Sequence, residues 1–297
     1  MGEQMMVPDA SLRFLATAQQ DLEAARCLFN HQFYPQAVYY LEQSIEKAFK
    51  SYAFFTNVID ERQARSKIGH KGLKIAEKSI DNLQENVRKI ESSLGQDPDT
   101  YRYFTRYFQM PTSMELEPSK KQIRVFQNEG KTELSTSSKR LKNYLKGLER
   151  LEAEYNSGLK ELKDGIYLSD LEFNQIKRRL LKFIEIVSSR DSDEAKHREE
   201  EFQERFTKEL FEGAISRALP YLLKTGYLGG LLFYLMRLLQ PHAFARYPQG
   251  EFHPVEFYNQ DLPLIQNFEE CVDFTIKALQ LLEDLYQEFK SEVNCVT

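Results

Sequence analysis

Tryptophan is absent from this 297-residue chain, and glycine and proline are sparse at 13 and 10 residues. So few turn-formers argue against an all-β fold, which needs a tight turn every few residues. Cysteine occurs three times, at Cys27, Cys271 and Cys295. These lie too far apart for a zinc-ligand spacing, and an odd number fits a reducing compartment better than a disulfide framework. Excess positive charge is also missing: the formal net charge is -5 and the pI is near 5.7. That excludes a protein that coats nucleic acid non-specifically, although a local basic pocket would not show in the sum. The opening MGEQMMVPDA has no apolar stretch of the signal-peptide kind, and residue 6 is Met where the myristoylation pattern has Ser or Thr. The most apolar window, residues 219–240, contains Lys224 and Arg237 and is broken by Gly226, Gly229 and Gly230. It reads as buried helix and turn, so no membrane span is expected and a cytoplasmic location is. No phosphate-binding glycine loop, zinc site or Ser/His/Asp nucleophile is visible, so no metal and no cofactor are expected.

What is present points to helices. Hydrophobic residues make up 41% of the chain, with 16 Tyr and 21 Phe, while 29% is charged and mean hydropathy is -0.55. The clearest pattern lies in residues 12–52. Leu15, Ala18, Leu22, Ala25 and Phe29 recur at steps of four and three. After a short turn Pro35 opens a second helix, in which Val38, Leu41, Ile45, Ala48 and Tyr52 repeat the spacing. The two helices are expected as antiparallel neighbours that need at least one more helix to cover both seams.

The residues of this hairpin carry a resemblance. Asp21-Leu22-x-Ala-Ala25, the Phe33-Tyr34 turn, then Tyr39-Tyr40-x-x-Gln43-x-x-Glu46-Lys47-Ala48-x-Lys50 resemble the HEPN family (higher eukaryotes and prokaryotes nucleotide-binding). Gly69-His70-Lys71-Gly72-Leu73 is similar to the family's His-Asp-Leu signature, with Lys71-Gly72 in place of the usual filling. Much later, Ala245-Arg246-Tyr247-Pro248 resembles the family's Arg-Tyr-Pro loop. A closing helix follows it through Phe268, Val272, Thr275, Leu279, Leu282, Tyr286 and Phe289. The resemblance implies an all-α, antiparallel helical bundle that is discontinuous in sequence: 8–83 as its first part, 84–235 as a helical insertion, and 236–293 as its second part.

Inside the insertion the reading is coarser. A loop is expected over residues 110–118. A long helix is expected from Thr132 through Leu141, Leu145, Leu148, Leu151 and Tyr155, and another after Ser169-Asp170. Residues 188–204 read as a charged, solvated stretch. An apolar face then runs from Phe206 to Leu219 and is stopped by Pro220.

Ribonucleases of the family use an Arg and a His separated by four to six residues. Arg246/His253 has six between, and Arg65/His70 has four. The resemblance implies metal-independent RNA cleavage across a homodimer, the His acting as general acid or base and the Arg clamping the phosphate. It also implies a nucleotidyltransferase antitoxin as partner. Against catalysis, Arg246 would simply pair with a carboxylate and His70 would bond locally at a helix start. Lys47 and Lys50 are candidates to face a nucleotide phosphate, while Glu46 and Lys50, four apart, also stabilise a helix on their own. In Tyr101-Arg102-Tyr103-Phe104-Thr105-Arg106-Tyr107-Phe108, aromatic faces suit unpaired bases and Arg102 and Arg106 suit phosphates. Packing plus exposed charge is the alternative. Two functions therefore stay open: a toxin- or defence-type RNA-directed protein, and a non-catalytic nucleotide-binding or protein-interaction module.

Overall fold

A computed structural model describes residues 6–69, 71–94, 113–128, 138–163, 165, 167–188, 200–243, 247–248, 250 and 252–296, with only the backbone at residues 65, 67, 90, 93–94, 128, 182–188 and 292–296. The described residues are helical and contain no β-strand. The main helices are α1 (Asp9–Asn30), α2 (Tyr34–Phe55), α3 (Leu73–Leu94), α4 (Ser113–Asn128), α5 (Ser138–Lys163), α6 (Asp170–Ser188), α7 (Lys208–Leu239) and α8 (Phe268–Val296). The chain groups into two compact units. The first comprises Met1–Ser79, Gln122–Asn156 and Lys224–Thr297, and the second Ile80–Lys121 and Ser157–Leu223.

In the first unit α2 is the axis. It is buried on nearly every side, from Pro35 to Phe55. It packs against α1, α8, the 3-10 turn Gln240–His242 and the short helix Pro254–Phe257. Small residues let α1 and α2 approach closely: the Ser44 hydroxyl donates to the Ala18 carbonyl at 2.8 Å, and Ser51 donates to Ser11 at 2.6 Å. The expected seams are buried except at their last members, Phe29, Tyr52 and Phe289, which are half-buried. Leu15, Ala18, Leu22 and Ala25 of α1 meet Val38, Leu41, Ile45 and Ala48 of α2 within one core. Each such aliphatic contributes roughly 2 kcal/mol by leaving water.

The C-terminal helix returns to this hairpin. Phe268, Val272, Thr275, Leu279, Leu282 and Tyr286 are all buried. Phe268 stacks on Phe29 with centroids 4.2 Å apart, and Tyr286 lies against Phe55. Its hydroxyl bonds Ser51 Oγ at 2.6 Å. From the middle of the chain, Leu141, Leu145 and Leu148 of α5 join the buried set, and Glu152 takes Lys277 on both carboxylate oxygens at 2.7 and 2.8 Å.

Three expected helix ends move. α3 opens at Leu73 rather than at His70, because the Gln240 side-chain carbonyl accepts from the Leu73 amide at 3.0 Å. Pro118 lies inside α4 and Pro220 inside α7. In each case the carbonyl left without a donor, on Met114 and Ser216, belongs to an exposed residue that water can satisfy. The glycines at 229 and 230 do not break α7 either. A Cβ there would come within 2.9 Å of the Tyr52 hydroxyl and 3.0 Å of Leu151, so glycine is needed for close approach. Lys208–His242 is the one helix among the described residues long and apolar enough to cross a membrane. Its residues Tyr227, Leu228, Leu231, Leu232 and Leu235 are buried core.

The second unit has its own aromatic nucleus. Phe173 stacks with Phe206 at 5.6 Å, and Phe206 packs on Phe202 and Phe211. Ser169 and Glu172 form a reciprocal capping box at the start of α6.

Candidate functional site

Along α2 runs a buried polar string: Glu42, Gln43, Glu46 and Lys50. The Gln43 amide donates to Glu42 Oε2 at 2.8 Å and reaches Glu46 Oε2 at 3.5 Å, and Lys50 Nζ donates to Glu46 Oε1 at 2.6 Å. Glu42 Oε1 is buried with no hydrogen-bond partner among the described residues. Burial first, and the Glu46 charge second, push the Glu42 carboxyl from 4.5 up to about 8. Glu42 is therefore mostly protonated near neutral pH, and the string carries one carboxylate paired to one ammonium.

Beside this string is a groove of about 330 Å³ lined by Arg13, Phe14, Thr17, Phe54 and Glu61. Phe14 and Phe54 stack in its wall at 5.5 Å, and Lys50 Nζ sits 5.7 Å from the Phe14 ring centre. Arg13 stretches from α1 to Glu61 at 3.4 Å and to Asp9 at 3.5 Å.

The two lysines expected to face a phosphate are already engaged. Lys47 forms an ion pair with Asp21 across α1 and α2, and Lys50 holds Glu46. A phosphate would have to displace a carboxylate at either one. His253 is exposed, and it immediately precedes the short helix Pro254–Phe257. Arg246, His70, Arg102 and Arg106 lie outside the described residues, and so does the Arg65 side chain. Each proposed Arg/His pair therefore has at least one member outside the described residues. Among the described residues there is no group of three or more His, Cys, Asp or Glu side chains able to hold a metal ion.

Sequence reasoning missed a second buried pair. His242 and Tyr258 are both buried, and His242 Nδ1 and the Tyr258 hydroxyl share a hydrogen bond of 2.7 Å. Burial alone lowers His242 to about 4 and raises Tyr258 far above its ordinary range. Both stay neutral, and the bond joins two uncharged groups. The only sequence signal was a His two residues beyond the most apolar window. Glu42 had a stronger one, a like-charged neighbour four residues on along a helix otherwise fit for a core.

Comparison with known proteins agrees with the geometry of the hairpin. Residues 11–111 match the profile of the HEPN domain. An 82-residue stretch is 32% identical to a protein of Methanocaldococcus jannaschii named "Putative toxin MJ1304". The match covers 27% of this chain and 54% of that one, so the chain spans about half the length of the relative. No solved structure matches. Residues 11–111, the stretch that begins with α1 and α2, are thus similar to the HEPN domain, and the described residues are all-α.

Proposed function

We propose that this chain is a HEPN-type protein of a toxin or defence system that cleaves RNA without a metal ion. On this reading it works in the cytoplasm as a homodimer held in check by a nucleotidyltransferase antitoxin. The observation that carries the reading is the HEPN match over residues 11–111 together with a relative named as a toxin. The bundle is assigned to residues 8–83 and 236–293, with 84–235 inserted between them. The docking of α8 on α1 and α2 supports that division.

In the reaction, the RNA 2′-hydroxyl gives its proton to an imidazole, and its oxygen attacks the adjacent phosphorus. The bond from phosphorus to the 5′-oxygen breaks, and that oxygen leaves with a proton supplied by a general acid. A cyclic phosphate and a 5′-hydroxyl result. His253 supplies the imidazole and Arg246 the planar fork for the phosphate; Arg65 and His70 are the second candidate pair. His253 is well placed for such work in one respect, its exposure to solvent.

The test is cleavage of single-stranded RNA in EDTA. The wild-type chain should cleave it, and His253→Ala should lower the rate by about 10²–10⁴, the range for losing a general acid or base. Loss on His70→Ala instead would move the site to the other pair. Unchanged rates in both variants would remove both assignments. Thermal stabilisation by nucleotide without turnover would identify a binding module.

A further inference from the structure

We infer that the buried His242–Tyr258 bond is a positioning clamp for His253, an inference that rests on the proposed catalytic reading of that residue. The geometry is local and continuous. His242 ends the 3-10 turn after α7, and that turn packs on α2. Tyr258 ends the short helix Pro254–Phe257, which packs on α2 as well. Two anchored points therefore bracket residues 243–257, and a single neutral hydrogen bond joins them at 2.7 Å.

From Tyr258 the constraint passes back to His253 through the backbone. The Tyr258 amide donates to the Pro254 carbonyl at 2.8 Å, and the Phe257 and Glu256 amides donate to the His253 carbonyl at 3.0 and 3.1 Å. The residues on each side of His253 are held too. Pro254 is buried, and the half-buried Phe252 ring packs on Phe257 at 5.3 Å and edge-on to Tyr258 at 6.3 Å. His253 alone of these three points to solvent. A side chain presented this way has few backbone states to lose when it meets a substrate, which is what positioning contributes to a reaction rate. The clamp residues touch no solvent and carry no charge, so they act through His253 and not on substrate.

Amide hydrogen exchange and RNA cleavage, measured on the full chain, separate the clamp from the catalytic reading. Tyr258→Phe removes the hydroxyl and keeps the ring. It should speed exchange over residues 252–258 by about tenfold while residues 11–55 exchange as before. His242→Gln keeps a hydrogen-bonding side chain and should stay near wild type. Where the wild type cleaves RNA, Tyr258→Phe should lower kcat by about tenfold with KM unchanged, and His242→Gln should keep most of the wild-type rate. Exchange over 252–258 unchanged in Tyr258→Phe, or raised equally along the whole chain, overturns the clamp. A wild type that cleaves no RNA overturns the reading beneath it, and the exchange pattern then still decides whether the pair holds the loop.

Discussion

Glu42 is costly to ionise, and its surroundings say at which pH the cost falls due. Its carboxyl is buried, Glu46 stands four residues on, and the Gln43 contact together with the Lys47 and Lys50 charges offsets only part of the penalty. A folded-state value of about 8 against an ordinary 4.5 means that folding favours the protonated form. That benefit is complete below about 4.5 and is lost as pH climbs through about 8. The wild-type melting temperature should therefore fall between about pH 5 and pH 8. Glu42→Gln, which has no proton to lose, should flatten that decline, each kcal/mol recovered raising Tm by about 2–4 °C. Parallel slopes for the two proteins across that range would mean that Glu42 is already ionised. Lys47 presents the opposite case. It and Asp21 are mostly shielded, and removing either charge strands the other. Lys47→Met should cost about 1–3 kcal/mol, and pairing it with Asp21→Leu should return part of that loss in a double-mutant cycle.

At the scale of the helix, what could be read from the residues depended on how uniform the surroundings are. The seams of α1, α2 and α8 were legible because each keeps an unbroken row of buried positions, so Leu15 to Ala25, Val38 to Ala48 and Phe268 to Tyr286 recur at helical spacing. Helix ends were less legible. Pro118, Pro220, Gly229 and Gly230 look like stops in a string of letters, but an exposed carbonyl or a close neighbour makes each tolerable within a helix. The His242–Tyr258 pair and the unpartnered Glu42 oxygen were not legible at all, since both depend on which distant segments enclose them. The α2–α8 seam gives a graded prediction. Ser51 donates to Ser11, so the Tyr286 hydroxyl is the donor in its own bond to Ser51. Tyr286→Phe should cost about 1 kcal/mol, because ring packing on Phe55 remains. Phe268→Ala, which empties a fully buried site against Phe29, should cost about 3–5 kcal/mol. Equal losses in thermal unfolding would mean that α8 is held by something other than this seam.

For the whole molecule the decisive fact is where the neighbours of α2 come from. α1 precedes it, but the other sides are covered by α8, the turn Gln240–His242 and the helix Pro254–Phe257, all roughly 200 residues later in the chain. The stretch that matches the HEPN domain therefore contains the central hairpin but not the helix that closes it. Chain entropy opposes closure over so long a separation, yet the penalty grows only with the logarithm of loop length. A few buried aromatics at the closing contact outweigh it. Taking α8 away should then undo the hairpin as well. A chain ending at Asp261 would leave Phe29, Ser51 and Phe55 without their partners on α8. It should keep helical circular dichroism, bind a hydrophobic dye and lose its cooperative melt. Supplying residues 262–297 as a separate chain should restore cooperativity in proportion to its concentration, because the contact is then bimolecular. A truncated chain that melts sharply at the wild-type temperature would show that α1 and α2 need no help from the far end, and the two-part bundle would have to be abandoned.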